Sequence, residues 1–128
     1  MIIKDDELKS CLLFALRPYM NEYDFHIIQS DLSIDERIYL DALMKYQSQS
    51  FRIQVYFILK YKKNSFIFDN IEGKVKYSFI ELPFMQVFKQ FIKIPKLEIN
   101  DHQCSYPFAL PIENIELAHQ QLIVHIKK

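Results

Sequence analysis

Between Ile38 and Lys62 apolar and polar side chains alternate with a period of two. Ile38, Leu40, Ala42, Met44 and Tyr46 fall on one parity, with Tyr39, Asp41, Leu43, Lys45 and Gln47 between them. Ser33 and Glu36 match a helix capping box, but strict alternation over this length is the mark of a strand with one buried face. The segment 36–47 is therefore read as a strand. After the polar turn Gln47–Ser50, the alternation resumes with Phe51, Ile53, Val55, Phe57, Leu59 and Tyr61. This is the clearest strand in the chain, and it should be central. Tyr56 and Ile58 fall on its other side, so that face is only partly polar.

The same reading predicts short strands over Phe25–Gln29, Ser65–Asp69 and Lys74–Glu81. Turns are expected at Ser30–Ser33, Lys62–Ser65 and Asn70–Gly73. Strands joined at such short spacing form an antiparallel meander. The flanks read differently. Leu8, Cys11, Leu12, Ala15 and Leu16 recur at helical spacing, with Asp5 or Asp6 as the cap and Pro18 ending or kinking the helix near Arg17. Tyr19–Tyr23 adds one more turn. Pro83 suits the first turn of a second helix with an apolar stripe of Phe84, Val87, Phe88, Phe91 and Ile92, closed by Pro95. Leu97–Ile99 is a short edge strand and Asn100–Tyr106 a polar loop. Pro111 opens a third helix with Ile112, Ile115, Ala118, His119, Leu122 and Ile126 on one face. The expected fold class is α+β in one domain, 1–128. It has a meander sheet of four to five strands, with an N-terminal helix and two C-terminal helices packed mainly on one face.

Composition removes several classes of chemistry. Gly73 is the only glycine in 128 residues. Dinucleotide and P-loop sites need several, because their backbone must turn sharply against a pyrophosphate. Apolar runs are too short for a membrane span, and the first seven residues are acidic rather than basic, which predicts a cytoplasmic protein without membrane association. The two cysteines, Cys11 and Cys104, make no disulfide scaffold and lack metal-ligand spacing. Cys11 falls on the predicted buried stripe, where a thiol is inert. Cys104, in a polar loop near His102, is the better nucleophile candidate. The four histidines lie far apart, and His119 reads as a hydrogen-bonded core residue. No cofactor, metal site or catalytic residue is assigned.

Formal charge is zero, yet it is unevenly placed. Residues 1–43 carry a net −5, residues 44–96 a net +7 and residues 97–128 a net −2. Either the molecule has an acidic and a basic region, or the two pair with each other inside the domain. Only three of the sixteen basic residues are arginine, which argues against a dedicated nucleic-acid binder. The acidic third contains Glu22, Asp24, Asp31, Asp35, Glu36 and Asp41, and Tyr39 adds an aromatic anchor. Together they form the expected partner-binding set, suited to a basic protein. The favoured reading is a non-enzymatic protein-binding module, in its concrete form an immunity- or antitoxin-like inhibitor of a basic bacterial toxin such as a nuclease.

Two alternatives remain. Glu72-Gly73-Lys74 resembles the Glu-x-Lys half of the PD-(D/E)xK nuclease motif, in which carboxylates hold Mg²⁺ and the lysine steadies the attacking water. Asp69 or Asp41 would supply the upstream acid. The predicted position at a turn points instead to a solvated hairpin tip. The basic middle third with Tyr39, Tyr46, Tyr56, Tyr61 and Tyr77 would also suit single-stranded bases. The second alternative is a structural subunit that dimerises through a sheet edge.

Overall fold

A computed structural model describes residues 1–91 and 93–128, and of Phe91 the backbone alone. Short strand β1 (Ile2–Lys4) leads into helix α1 (Asp5–Tyr23). Four long strands follow in a meander: β2 (Phe25–Ile34), β3 (Ile38–Tyr46), β4 (Gln49–Lys62) and β5 (Ser65–Tyr77). Then come β6 (Ile80–Pro83), helix α2 (Phe84–Phe91), β7 (Glu98–Ile99), β8 (Cys104–Pro107), β9 (Ile112–Ala118) and β10 (Gln121–Ile126). The strands make a seven-stranded sheet in the order β2-β3-β4-β5-β8-β7, with β6 also paired to β5, and a three-stranded sheet β1-β10-β9. All pairings are antiparallel.

This corrects the α+β expectation. Strand accounts for 57% and helix for 21% of the described residues, which hold two helices rather than three. The error lies at the C-terminus. The predicted third helix is the β9–β10 hairpin, which turns at His119–Gln120 with Gln120 in the left-handed region (φ 59°). Ile112, Ile115, Ala118 and Leu122 match a helical stripe by coincidence of two short strands. Within β10, Leu122 and Val124 are buried and alternate with Ile123, as a strand requires.

Other boundaries move as well. Ser30–Ser33 continues β2 instead of turning, and the reversal comes at residues 35–37. Asn70–Gly73 is no turn: β5 runs straight through it. The disruption is a bulge where the register shifts between Tyr56 and Ile58, and Asn70 takes a left-handed φ of 49°. Residues 104–106, expected in a loop, belong to strand β8. Helix α1 passes through Pro18 to Tyr23, so Pro18 withholds from the Phe14 carbonyl its usual donor. Its first turn is closed by Lys4, whose backbone N–H donates to Glu7 Oε1 at 3.1 Å, rather than by Asp5 or Asp6. In the expected α2 stripe, Ile92 and the Phe91 side chain lie outside the described residues. Strand β4, the edge strand β7 and the strand reading of 36–47 stand as expected.

With one glycine available, tight hairpins use other residues at positive φ. Gln47 and Ser48 close β3–β4, and Lys63 and Asn64 close β4–β5. Asn64 tolerates the left-handed region better than most residues, while the other three hold it at some strain.

One apolar cluster joins the two sheets. Val55, Phe57, Leu59 and Tyr61 line the inner side of β4 and meet Ile34, Ile38 and Ile71 from the neighbouring strands. Leu122 and Val124 from the small sheet, Leu8 of α1 and Met85 of α2 cover them. Tyr61 is buried because its hydroxyl is satisfied: it donates to Phe108 O at 2.7 Å and accepts from Leu110 N at 2.9 Å. The large sheet therefore has one covered face and one open face.

Candidate functional site on the open sheet face

Strand register fixes what the open face displays. Tyr39 lies opposite Tyr56, Asp41 opposite Gln54, Tyr56 opposite Glu72 and Gln54 opposite Lys74. These positions share the parity left over once the core has taken the other. The Tyr39 and Tyr56 rings are tilted against each other with centroids 4.6 Å apart. Arg37, from the β2–β3 loop, lays its guanidinium 4.8 Å from the Tyr56 centroid. Its Nη2 sits 3.3 Å from Glu72 Oε2. Both Nε and Nη2 are covered without an aligned hydrogen bond, so the attraction is that of a charge over a ring and beside a carboxylate.

A second chain of contacts starts beside it. Gln54 Nε2 donates to the Tyr39 hydroxyl at 3.2 Å, and that hydroxyl donates to Asp41 Oδ2 at 3.3 Å. Arg52 clamps Asp41 with two bonds, 2.8 Å from Nε and 2.5 Å from Nη2. The guanidinium holds the Asp41 carboxyl below its ordinary range, with Tyr39 helping. Gln54 Oε1 is buried without a partner. Tyr39, Gln54 and Tyr56 border a shallow hollow of about 630 Å³, walled on its far side by Lys74, Glu81 and Pro83.

The expected partner-binding residues do not gather into one patch. Tyr39 and Asp41 stand on this face, and Asp31 lies directly across from Asp41. Asp35 and Glu36 sit in the loop that ends β2, where Asp35 Oδ1 is 2.7 Å from His119 Nδ1. Glu22 and Asp24 are at the other end of β2, in the last turn of α1 and at its cap. The acids thus follow β2 from end to end. Ion pairing absorbs little of the charge asymmetry. Asp41–Arg52 joins the acidic third to the basic middle, and Lys89–Asp101 joins the basic middle to the C-terminal part. Arg37–Glu72, by contrast, pairs the minority charge of each region, and Lys60–Asp69 lies within the basic one.

Three sequence expectations reverse. Cys11 is exposed on α1, whereas Cys104 is buried in β8, where burial pushes its thiol up to about 11. Burial makes the Cys104 thiol resist ionisation, so the expected nucleophile candidate is not activated. His119 is hydrogen-bonded but exposed, at the tip of the β9–β10 hairpin. Glu72-Gly73-Lys74 lies within β5 rather than at a turn, with Glu72 and Lys74 on the open face. Its neighbours on β4 are Tyr56 and Gln54, so no carboxylate on that strand stands beside Glu72. Among the described residues no three His, Cys, Asp or Glu side chains converge to hold a metal ion.

Sequence reasoning did not single out Arg37, Arg52 or Gln54. Arg52 and Gln54 were legible from parity alone, as the polar positions of an alternating strand. Arg37 was not, because it reaches the face from a loop. Among the described residues no helix is long and apolar enough to cross a membrane. No protein-family model matches the chain, and no curated protein or solved structure matches it.

Proposed function

We propose that this chain is a non-enzymatic protein-binding module whose working surface is the open face of the seven-stranded sheet with its acidic margin along β2. The observation that carries this reading is the asymmetry of that sheet. Its inner face is doubly covered, while its outer face leaves a tyrosine pair and an arginine beside a hollow. Tyrosine and arginine are the side chains that most often anchor protein interfaces. The row Glu22, Asp24, Asp31, Asp35 and Glu36 gives the margin a charge that would steer a basic partner.

The narrower form of the proposal is an immunity- or antitoxin-like inhibitor that blocks a basic toxin such as a nuclease. Its support is charge and size alone, and two of its acids are already engaged, Asp41 by Arg52 and Asp35 by His119. A second reading has one observation of its own: Arg37, Arg52, Lys74 and Lys76 share the open face with the two tyrosines, as stacking on single-stranded nucleic acid would need.

One experiment separates them. The tagged protein is used to capture partners from its native lysate at low and high salt, with and without nuclease, beside a Tyr56→Ala variant. A stoichiometric basic protein that survives nuclease treatment and is lost with Tyr56→Ala supports the binding module. Nucleic acid lost on nuclease treatment moves the assignment to the second reading. Capture unchanged by Tyr56→Ala removes the open face as the working surface.

A further inference from the structure

Resting on the protein-binding reading above, we infer that the outer edge of β2 is a docking edge for an extended basic segment of the partner, which adds to the large sheet as a further antiparallel or parallel strand.

The edge itself is the first observation. β2 ends the strand order of the large sheet and has β3 on one side only. At ten residues it is the longest edge strand; β9 has seven, β6 four, β1 three and β7 two. Alternate backbone N–H and C=O groups of an edge strand point away from its neighbour and are a template for another chain. At one end the Ile34 carbonyl is taken by Gln120 N at 2.7 Å, and at the other a bulge interrupts the register between Ile27 and Gln29. The regular open run is therefore Gln29–Ser33. It contains no proline or lysine, two of the usual guards of such edges.

Charge selects the occupant. From Pro18 to Glu36 the sequence holds Glu22, Asp24, Asp31, Asp35 and Glu36 and neither lysine nor arginine. Within the run, Gln29, Asp31 and Ser33 are exposed on the open-face side, while Ser30 and Leu32 are half-buried on the core side. Asp31 faces Asp41 across the ladder, and Asp41 has Arg52, whereas among the described residues Asp31 has no cation within ion-pair distance. An added strand that keeps the same two faces would put its outward side chains beside Asp31, where lysine or arginine fits, and its inward ones beside Leu32, where apolar side chains fit. Two copies of β2 paired about their centre would instead bring their own aspartates together, so the acids that admit a basic strand discourage self-pairing.

The probe is a synthetic peptide matched in length to the run, alternating lysine and valine. Its control replaces lysine by glutamate. Two further versions carry N-methyl groups on one or the other alternate set of backbone nitrogens. Binding is read by fluorescence anisotropy, and the site by hydrogen exchange of the protein's amides. The lysine peptide should bind and slow exchange in 29–33, and the glutamate peptide should not. One N-methylated version should lose about tenfold in affinity, since two or so backbone bonds are removed, while the other should keep it. Asp31→Lys, at an exposed position, should weaken the lysine peptide about threefold and let the glutamate peptide bind. The inference is overturned if the lysine peptide does not bind, if both N-methylated versions bind alike, or if protection appears away from β2. A lysate partner that is lost with Tyr56→Ala but indifferent to Asp31→Lys would overturn the docking edge and leave the binding module standing. Absence of any protein partner would overturn the module itself.

Discussion

The two faces of β4 are made by one run of sequence, yet they obey different rules. On the inner side Val55, Phe57, Leu59 and Tyr61 are all buried and belong to one cluster with the small sheet and both helices. On the outer side Arg52, Gln54, Tyr56 and Lys60 make polar and aromatic contacts with their strand neighbours and keep access to solvent. Tyr56 remains 43% exposed, against 8% for Phe57 beside it. An aromatic ring on the first face contributes to stability through the area it removes from water. A ring on the second contributes little in that way and is available to a partner.

The largest expected effect tests the inner face. Phe57→Ala removes a ring packed 5.7 Å, centroid to centroid, from Phe68 and leaves a cavity. The cost should be about 3–5 kcal/mol in denaturant unfolding. Tyr56→Ala should cost under about 1 kcal/mol in the same measurement, as surface substitutions do. Equal losses would mean that the outer face is packed as the inner one is, and the contrast would fail.

Gly73 of β5 lies too close to the β4 backbone for a side chain. A Cβ built there would overlap the Gln54 carbonyl oxygen and lie 2.7 Å from Val55 Cα, both backbone atoms of β4. Its φ is not positive, so space rather than conformation demands glycine. Gly73→Ala should cost about 1–3 kcal/mol by forcing the strands apart. Because Gly73 borders the hollow, the same change should disturb partner capture, whereas Phe57→Ala should act on folding alone. Calorimetry alongside capture checks both.

A third test isolates the outer face. Tyr56→Ala removes the ring that Arg37 and Tyr39 share. If the face binds a partner through this centre, affinity should fall by about tenfold or more, the size of an anchor residue's contribution. The melting temperature should barely change. A variant that melts early and binds normally would assign the stack to structure rather than recognition.

How much of this was legible follows from the same contrast. β3 and β4 were readable because period-two alternation over long strands is a strong signal, and Phe51–Lys62 carried it most clearly; β2 was read at half its length and β5 was cut in two by an expected turn at Asn70–Gly73. The β9–β10 hairpin was not. Its strands are short, its turn at His119–Gln120 has no glycine or proline, and Ile112, Ile115, Ala118 and Leu122 imitate a helical stripe across the reversal. The β3–β4 and β4–β5 turns were legible from their polar runs, Gln47–Ser50 and Lys62–Ser65, whereas His119–Gln120 carries none of the usual turn residues. Site residues divide along the same line. Tyr39 and Asp41 follow from parity on a strand, whereas the partnership of Arg37 with Glu72 depends on a loop and a strand two places away. The acids read as one cluster because they are near in sequence, and an extended strand spreads what a helix or loop would have gathered.

The smallest effect is electrostatic. Asp41 and Arg52 form a bidentate pair on the outer face, with the aspartate side chain 16% exposed and the arginine 51%. A pair this open to water adds little to stability. Arg52→Ala should therefore lower stability only slightly near neutral pH. The pH dependence has a definite sign. The Arg52 bonds lower the Asp41 carboxyl in the folded state relative to its ordinary 3.8, so their stabilisation is fully present above that value. It fades as pH falls through the lower folded value, because the protonated acid no longer attracts the guanidinium. Asp69, held down by Lys60, and Asp101, held down by Lys89, lose stability in the same window and are untouched by the substitution. The parent protein and Arg52→Ala should both weaken in acid, with the gap between them closing below about pH 4. Urea unfolding of the two proteins across this range measures that gap. A constant gap would mean that Arg52 stabilises β4 by packing its aliphatic stem, and that the charge on the open face is free for a partner rather than spent on the fold.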